Sequence, residues 1–173
     1  MEPSEALREW HDFYVLIGTA SGTLIGLMFV AASIAATAMG ERYRPGMEAF
    51  ITPTVAHFSA VLFVCLLVMA PTHTRASLGV VGLAAGAIGL GYCARVRMHM
   101  HRLSASIDLV DRLWYAVIPA LGYLLLAASG AAWLMSMHSS PTVLAAALVL
   151  LLLAGIRNAW DMTVWIVERQ LKK

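Results

Sequence analysis

The stretch LWYAVIPALGYLLLAASGAAWLMSMHSSPTVLAAALVLLLLAGI, residues 113–156, contains no Asp, Glu, Lys or Arg. A helix rises ~1.5 Å per residue and a bilayer core is ~30 Å thick, so this run is too long for one span and sufficient for two. The break falls at MHSSPT (137–142), a polar cluster ending in Pro141 and Thr142. Proline suits the first helical position, where its missing N–H has no intrahelical partner to lose. The run therefore predicts two antiparallel spans, at about 113–136 and 141–167. The second continues past Ile156 and takes Arg157, Asn158 and Asp161 into the membrane.

Working outward, charged residues mark the ends of three more apolar runs. No charge stands between Asp12 and Glu41, between Glu48 and Arg75, or between Arg75 and Arg95. These runs give spans at about 13–38, 48–70 and 76–94, the second closed by Pro71. Five helices follow, because lipid leaves helices and closed barrels as the spanning forms and these long runs do not alternate as barrel strands do. The expected fold is all-α: a single transmembrane domain over residues 1–173, with five transmembrane helices.

Composition agrees. The chain of 173 residues is 60% hydrophobic and 13% charged, against about 25% charge in a soluble domain. Its net charge of +2 is no signal for nucleic acid. The N-terminal MEPSEALREWHD is acidic, unlike the basic start of a secretory signal, and the apolar run after it exceeds a signal's apolar core, so the first span is read as retained.

Basic residues set the expected orientation. Arg42, Arg44, Arg95, Arg97, Arg102, Arg112, Arg169, Lys172 and Lys173 fall on one side, and Arg8 and Arg75 on the other. This predicts the N-terminus outside and the C-terminus inside. Trp114 and Tyr115 suit the inner interface, and Trp10, Phe13 and Tyr14 the outer one. Cys65 and Cys93 differ in depth by roughly 20 Å at ~1.5 Å per residue. A disulfide needs Cα atoms within ~7 Å, so no bridge within the chain is expected.

Two runs of small residues stand out. GTASGTLIG carries Gly18, Gly22 and Gly26 at intervals of four, flanked by Ser21, and the third span carries Gly79, Gly82, Gly86 and Gly89. Small residues at this spacing let helices approach closely. Two uses are open for Gly18, Gly22, Gly26, Gly82 and Gly86: packing within the bundle, or the interface of a homo-oligomer.

The candidate site is a polar layer. TPTVAHF puts Thr52, Thr54 and His57 in the second span around Pro53, and GIRNAWD puts Arg157, Asn158 and Asp161 at matching depth in the fifth. Tyr92 and Tyr115 border it. Arg157 and Asp161 stand at i and i+4, where they can pair. Pairing matters, because an isolated charge at a helix centre costs ~2.5–3.5 kcal/mol on insertion scales. Two readings stay open: a polar clamp fixing the second span on the fifth, or a site for an ion or small solute. Intramembrane ionisable groups are functional candidates by default.

Metal and cofactor signals are weak. Within RMHMHR (97–102), His99 and His101 point apart on a helix, and a basic anchor on anionic lipid is the preferred role. His57 alone among the histidines stands well inside a span, which disfavours bis-His haem ligation. No P-loop, nucleophile elbow or zinc-ligand spacing is present. No cofactor, metal or catalytic residue is expected, and the chain is not read as an enzyme.

The segments WHDFYVLIGTASGTLIGLMFVAASI (10–34), TPTVAHF (52–58), LWYAVIPALGY (113–123) and GIRNAWD (155–161) resemble a widespread, uncharacterised family of small bacterial multi-pass membrane proteins, along nearly the whole chain. The resemblance implies a bacterial cytoplasmic (inner) membrane protein and carries no catalytic residue across. The functional expectation is a homo-oligomeric channel or transporter-like protein for an ion or small solute. The alternative is a non-catalytic membrane subunit that stabilises or regulates a larger partner.

Overall fold

The computed structural model describes residues 3–39, 44–71, 74–103 and 113–171. A short α1 (Pro3–Glu9) precedes α2 (His11–Met39), α3 (Arg44–Met69) and α4 (Arg75–Leu103). A single π-helical turn (Leu113–Val117) leads into α5 (Ile118–Leu134), and α6 (Ser140–Leu171) ends the fold. Among the described residues the structure is all helical. Five segments are long and apolar enough to cross a membrane: His11–Ala35, Thr52–Met69, Arg75–Met98, Leu113–Leu134 and Ser140–Val164. The chain is thus a multi-pass helical bundle. α4 runs on through Leu103, so the backbone of the Arg97–Arg102 segment is helical rather than extended. Arg42, His73, Arg112, Lys172 and Lys173 lie outside the described residues.

The helices stand side by side in the order α4, α5, α6, α3, α2, and α6 also touches α2. Consecutive α3 and α4 meet little, because α5 and α6 hold them apart. Lipid tails are as apolar as leucine, so close packing rather than removal from water holds such helices together. The inner face of α6 shows the result: Leu144, Ala147, Leu148, Leu151, Ala154 and Met162 are buried, at the three- and four-residue spacing of one helix face. Leu153, Ile156, Trp160 and Val164 point outward, toward the side where lipid lies.

Glycine sets the closest approach, between α4 and α5. A Cβ on Gly82 would stand 2.8 Å from Gly130 Cα, and one on Gly86 would stand 2.7 Å from Ala127 Cβ. Gly79, Gly82, Gly86 and Gly89 of α4 are therefore covered by α5 of the same chain, while Gly91 has nothing within 4 Å. On α2, Gly18 lies over Cys65 of α3 and Gly22 faces Leu62, while Gly26 has nothing within 4 Å. Ser21 donates a hydrogen bond to the Phe58 carbonyl at 2.8 Å, tying α2 to α3. Cys65 and Cys93 are free thiols, both buried.

The turns follow local chemistry. Thr74 and Ser77 cap α4 reciprocally: Ser77 N donates to Thr74 Oγ1 at 3.1 Å and Thr74 N to Ser77 Oγ at 3.0 Å. α5 ends in a Schellman motif, with Met137 N bonded to the Ala132 carbonyl and Ser136 N to that of Trp133. The left-handed position falls on Ser136, at φ 58°. At the same end of the bundle, Arg75 Nη1 donates to Ser136 Oγ at 2.8 Å and the Tyr14 hydroxyl donates to the Pro141 carbonyl at 3.4 Å. The rings of Trp10, Phe13 and Tyr14 cluster there, with centroids 5.5–6.4 Å apart. This is the α1 end of the bundle.

Candidate functional site

The polar residues singled out in the sequence divide into two groups, with Asn158 as a third element. The first group surrounds His57, which is 2% exposed. Its Nδ1 is 3.0 Å from the Tyr123 hydroxyl of α5. The hydroxyl donates when the ring proton is on Nε2, and accepts when it is on Nδ1. Tyr92 of α4 meets the imidazole edge-on, with centroids 6.3 Å apart. His57 thus reaches across from α3 to the α4–α5 pair, bridging helices whose backbones hardly touch. Gly89 permits this, because a Cβ there would run into the Tyr123 ring.

The second group lies toward the C-terminal end of α6. Arg157 and Asp161 form an ion pair at 2.5 Å one turn apart, with side chains 34% and 21% exposed. The Tyr115 hydroxyl donates to Asp161 Oδ2 at 3.3 Å. Tyr115 sits in the π-helical turn. Four residues on, Pro119 has no N–H to give to the Tyr115 carbonyl, which accounts for the widened turn. Two charges of opposite sign and a phenol therefore stand together at a partly exposed position, with no net charge. No ion pair joins His57 to Asp161; each takes a tyrosine from α5 or its lead-in turn.

Asn158, one residue from Arg157, turns the other way. It is 0% exposed. Neither Nδ2 nor Oδ1 has a hydrogen-bond partner. On the facing helix Thr54 is also fully buried, while Thr52 is exposed. Around Met162 and Phe58 the surroundings are apolar, built from α2, α3 and α6. A buried amide left unpaired costs about 1–3 kcal/mol, so Asn158 is the least satisfied polar group of the layer.

Tyr123 was not singled out in the sequence. The signal was a depth count: His57 stands twelve residues before the last residue of α3, Met69, and Tyr123 eleven before the last of α5, Leu134. Both helices end at the α1 end, so the two side chains share a height. Among the described residues no group of three His, Cys, Asp or Glu is placed to hold a metal ion.

No protein-family model, curated protein or solved structure matches this chain.

Proposed function

We propose that this multi-pass membrane protein is channel- or transporter-like, and that it takes a small polar solute to Asn158. The observation that carries the reading is the wholly buried Asn158 amide, with neither polar atom partnered. Its two donors and its acceptor suit a small molecule that can both give and receive hydrogen bonds. The neighbouring ion pair Arg157–Asp161 is partly exposed, which supports an approach from the C-terminal end of α6. Because that pair is neutral as a unit, it favours an uncharged polar solute over a bare ion. The site lies within one chain, so the reading does not depend on a second copy.

Proteoliposome swelling tests it, with glycerol and urea as probes. Wild type is expected to speed re-swelling several-fold over empty vesicles. Asn158→Leu, close in size and apolar, is expected to return the rate to the empty-vesicle value. The same variant is expected to unfold later, by about 1–3 kcal/mol, because the unpaired amide is gone. Equal rates for wild type and Asn158→Leu would overturn the assignment. A wild type no faster than empty vesicles would overturn transport and favour the accessory-subunit reading.

A further inference from the structure

We propose that the recess between α1 and the end of α3 binds one phospholipid with a primary ammonium headgroup, as in phosphatidylethanolamine, its phosphate on Arg8 and His11 and its ammonium on the last carbonyls of α3. The recess holds about 220 Å³, against ~30 Å³ for one water molecule, so it has room for a group of several heavy atoms. Leu7, Arg8 and His11 line one side, and Val68, Met69, Ala70 and Pro71 the other.

The two sides differ in charge. Arg8 and His11 have no ion-pair or hydrogen-bond partner among the described residues. Their sequence neighbours Glu5, Glu9 and Asp12 are exposed, and none of them lines the recess. A guanidinium holds a phosphate through two parallel N–H bonds, and an imidazole offers an N–H in either neutral tautomer.

Across the recess stands the C-terminus of α3, the negative end of its dipole. The last four carbonyls of a helix have no donor within it. That of Leu67 accepts from Ala70 N at 3.1 Å, while those of Val68 and Met69 receive no N–H among the described residues. Pro71 has none to give. A bare anion on Arg8 would meet these carbonyls as like charge, and a bare cation on the carbonyls would meet Arg8. A headgroup with a phosphate and an ammonium two carbons apart answers both sides at once.

The walls and the depth favour the lipid over a soluble phosphate. Leu7, Val68 and Met69 present apolar surface, which a free phosphate leaves wet and a lipid's glycerol and first acyl carbons cover. The apolar span of α3 ends at Met69, and Leu7, Trp10 and Phe13 pack on the bundle core. The recess therefore sits where hydrocarbon gives way to headgroups. It lies at the opposite end of the bundle from Arg157 and does not depend on the solute reading.

The experiment titrates the intact protein in detergent with phosphatidylethanolamine, phosphatidylcholine and phosphatidylglycerol of identical acyl chains, and counts bound lipid by native mass spectrometry. One phosphatidylethanolamine per chain is expected, held about tenfold more tightly than the other two, because choline has no N–H and glycerol no positive charge for the carbonyls. Arg8→Gln is expected to weaken it about tenfold, at unchanged helicity by circular dichroism. Added inorganic phosphate is expected to leave the lipid in place. Equal retention of the three lipids would overturn the proposal, as would unchanged binding in Arg8→Gln. Displacement by inorganic phosphate would overturn it in favour of a free-anion site. If Arg8→Gln fails to fold, the comparison of the three lipids on wild type decides alone.

Discussion

The Tyr123 hydroxyl stands 3.0 Å from His57 Nδ1, joining α5 to α3 in the middle of the bundle. Both side chains are buried, His57 at 2% and Tyr123 at 3% exposure. Removing one partner strands the other in an apolar setting, which costs about 1–3 kcal/mol. Tyr123→Phe keeps the ring that fills the space beside Gly89, so its effect isolates the hydroxyl. It is expected to lower stability within that range. His57→Leu/Tyr123→Phe together are expected to cost less than the sum of the two single changes, since each single change leaves an orphan that the double change removes. Unfolding in detergent, followed by circular dichroism, gives all three values. Strict additivity would mean that the bond contributes nothing.

The glycines of α4 separate into two kinds, and a single methyl group tells them apart. At Gly89 a Cβ overlaps the Tyr123 ring, and Tyr123 cannot retreat without leaving His57. Gly89→Ala is therefore expected to destabilise by about 1–3 kcal/mol, the usual cost of overpacking. Two residues on, Gly91 has nothing within 4 Å of such an atom. Gly91→Ala only removes helix-unfavourable freedom and is expected to be neutral or to stabilise by up to about 1 kcal/mol. The pair differs by sign in one thermal-unfolding experiment. A destabilised Gly91→Ala would mean that something outside this chain packs on that face.

The five spans were legible because charge is expensive in lipid, so charged residues bracket each apolar run and the run lengths fix the number of crossings. The Arg157–Asp161 pair was legible for a similar local reason, since i and i+4 meet on any helix. The glycine spacing showed that helices approach closely, but not which ones. Gly82 and Gly86 meet α5 because Gly130 and Ala127 happen to lie opposite, and that match is written on two helices far apart in the sequence. The partner of His57 was hidden in the same way. Depth alone allowed Asp161, Asn158 or Tyr123 as its partner, and the order of helices around the bundle chose Tyr123. Asn158 reads in sequence as one more member of a hydrogen-bonded layer. Its isolation appears only in the folded bundle, where its amide is wholly buried and neither polar atom has a partner.

The end of α5 sets two small energies against each other. Ser136 takes the left-handed position of a Schellman motif at φ 58°, where glycine is the usual occupant and a Cβ costs about 1–2 kcal/mol. Its hydroxyl offsets part of this by accepting from Arg75 at 2.8 Å, an exposed charge-assisted bond contributing about 1 kcal/mol or less. Ser136→Gly loses the bond but relieves the backbone, so the two nearly cancel. It is expected to unfold within about 0.5 kcal/mol of wild type. Ser136→Ala loses the bond and keeps the backbone cost, so it is expected to fall about 1 kcal/mol below Ser136→Gly, as their difference is then the left-handed Cβ alone. Thermal unfolding of the three proteins side by side measures both differences. If Ser136→Ala matched Ser136→Gly, the left-handed turn would carry no cost, and the Arg75 contact alone would explain why serine stands there.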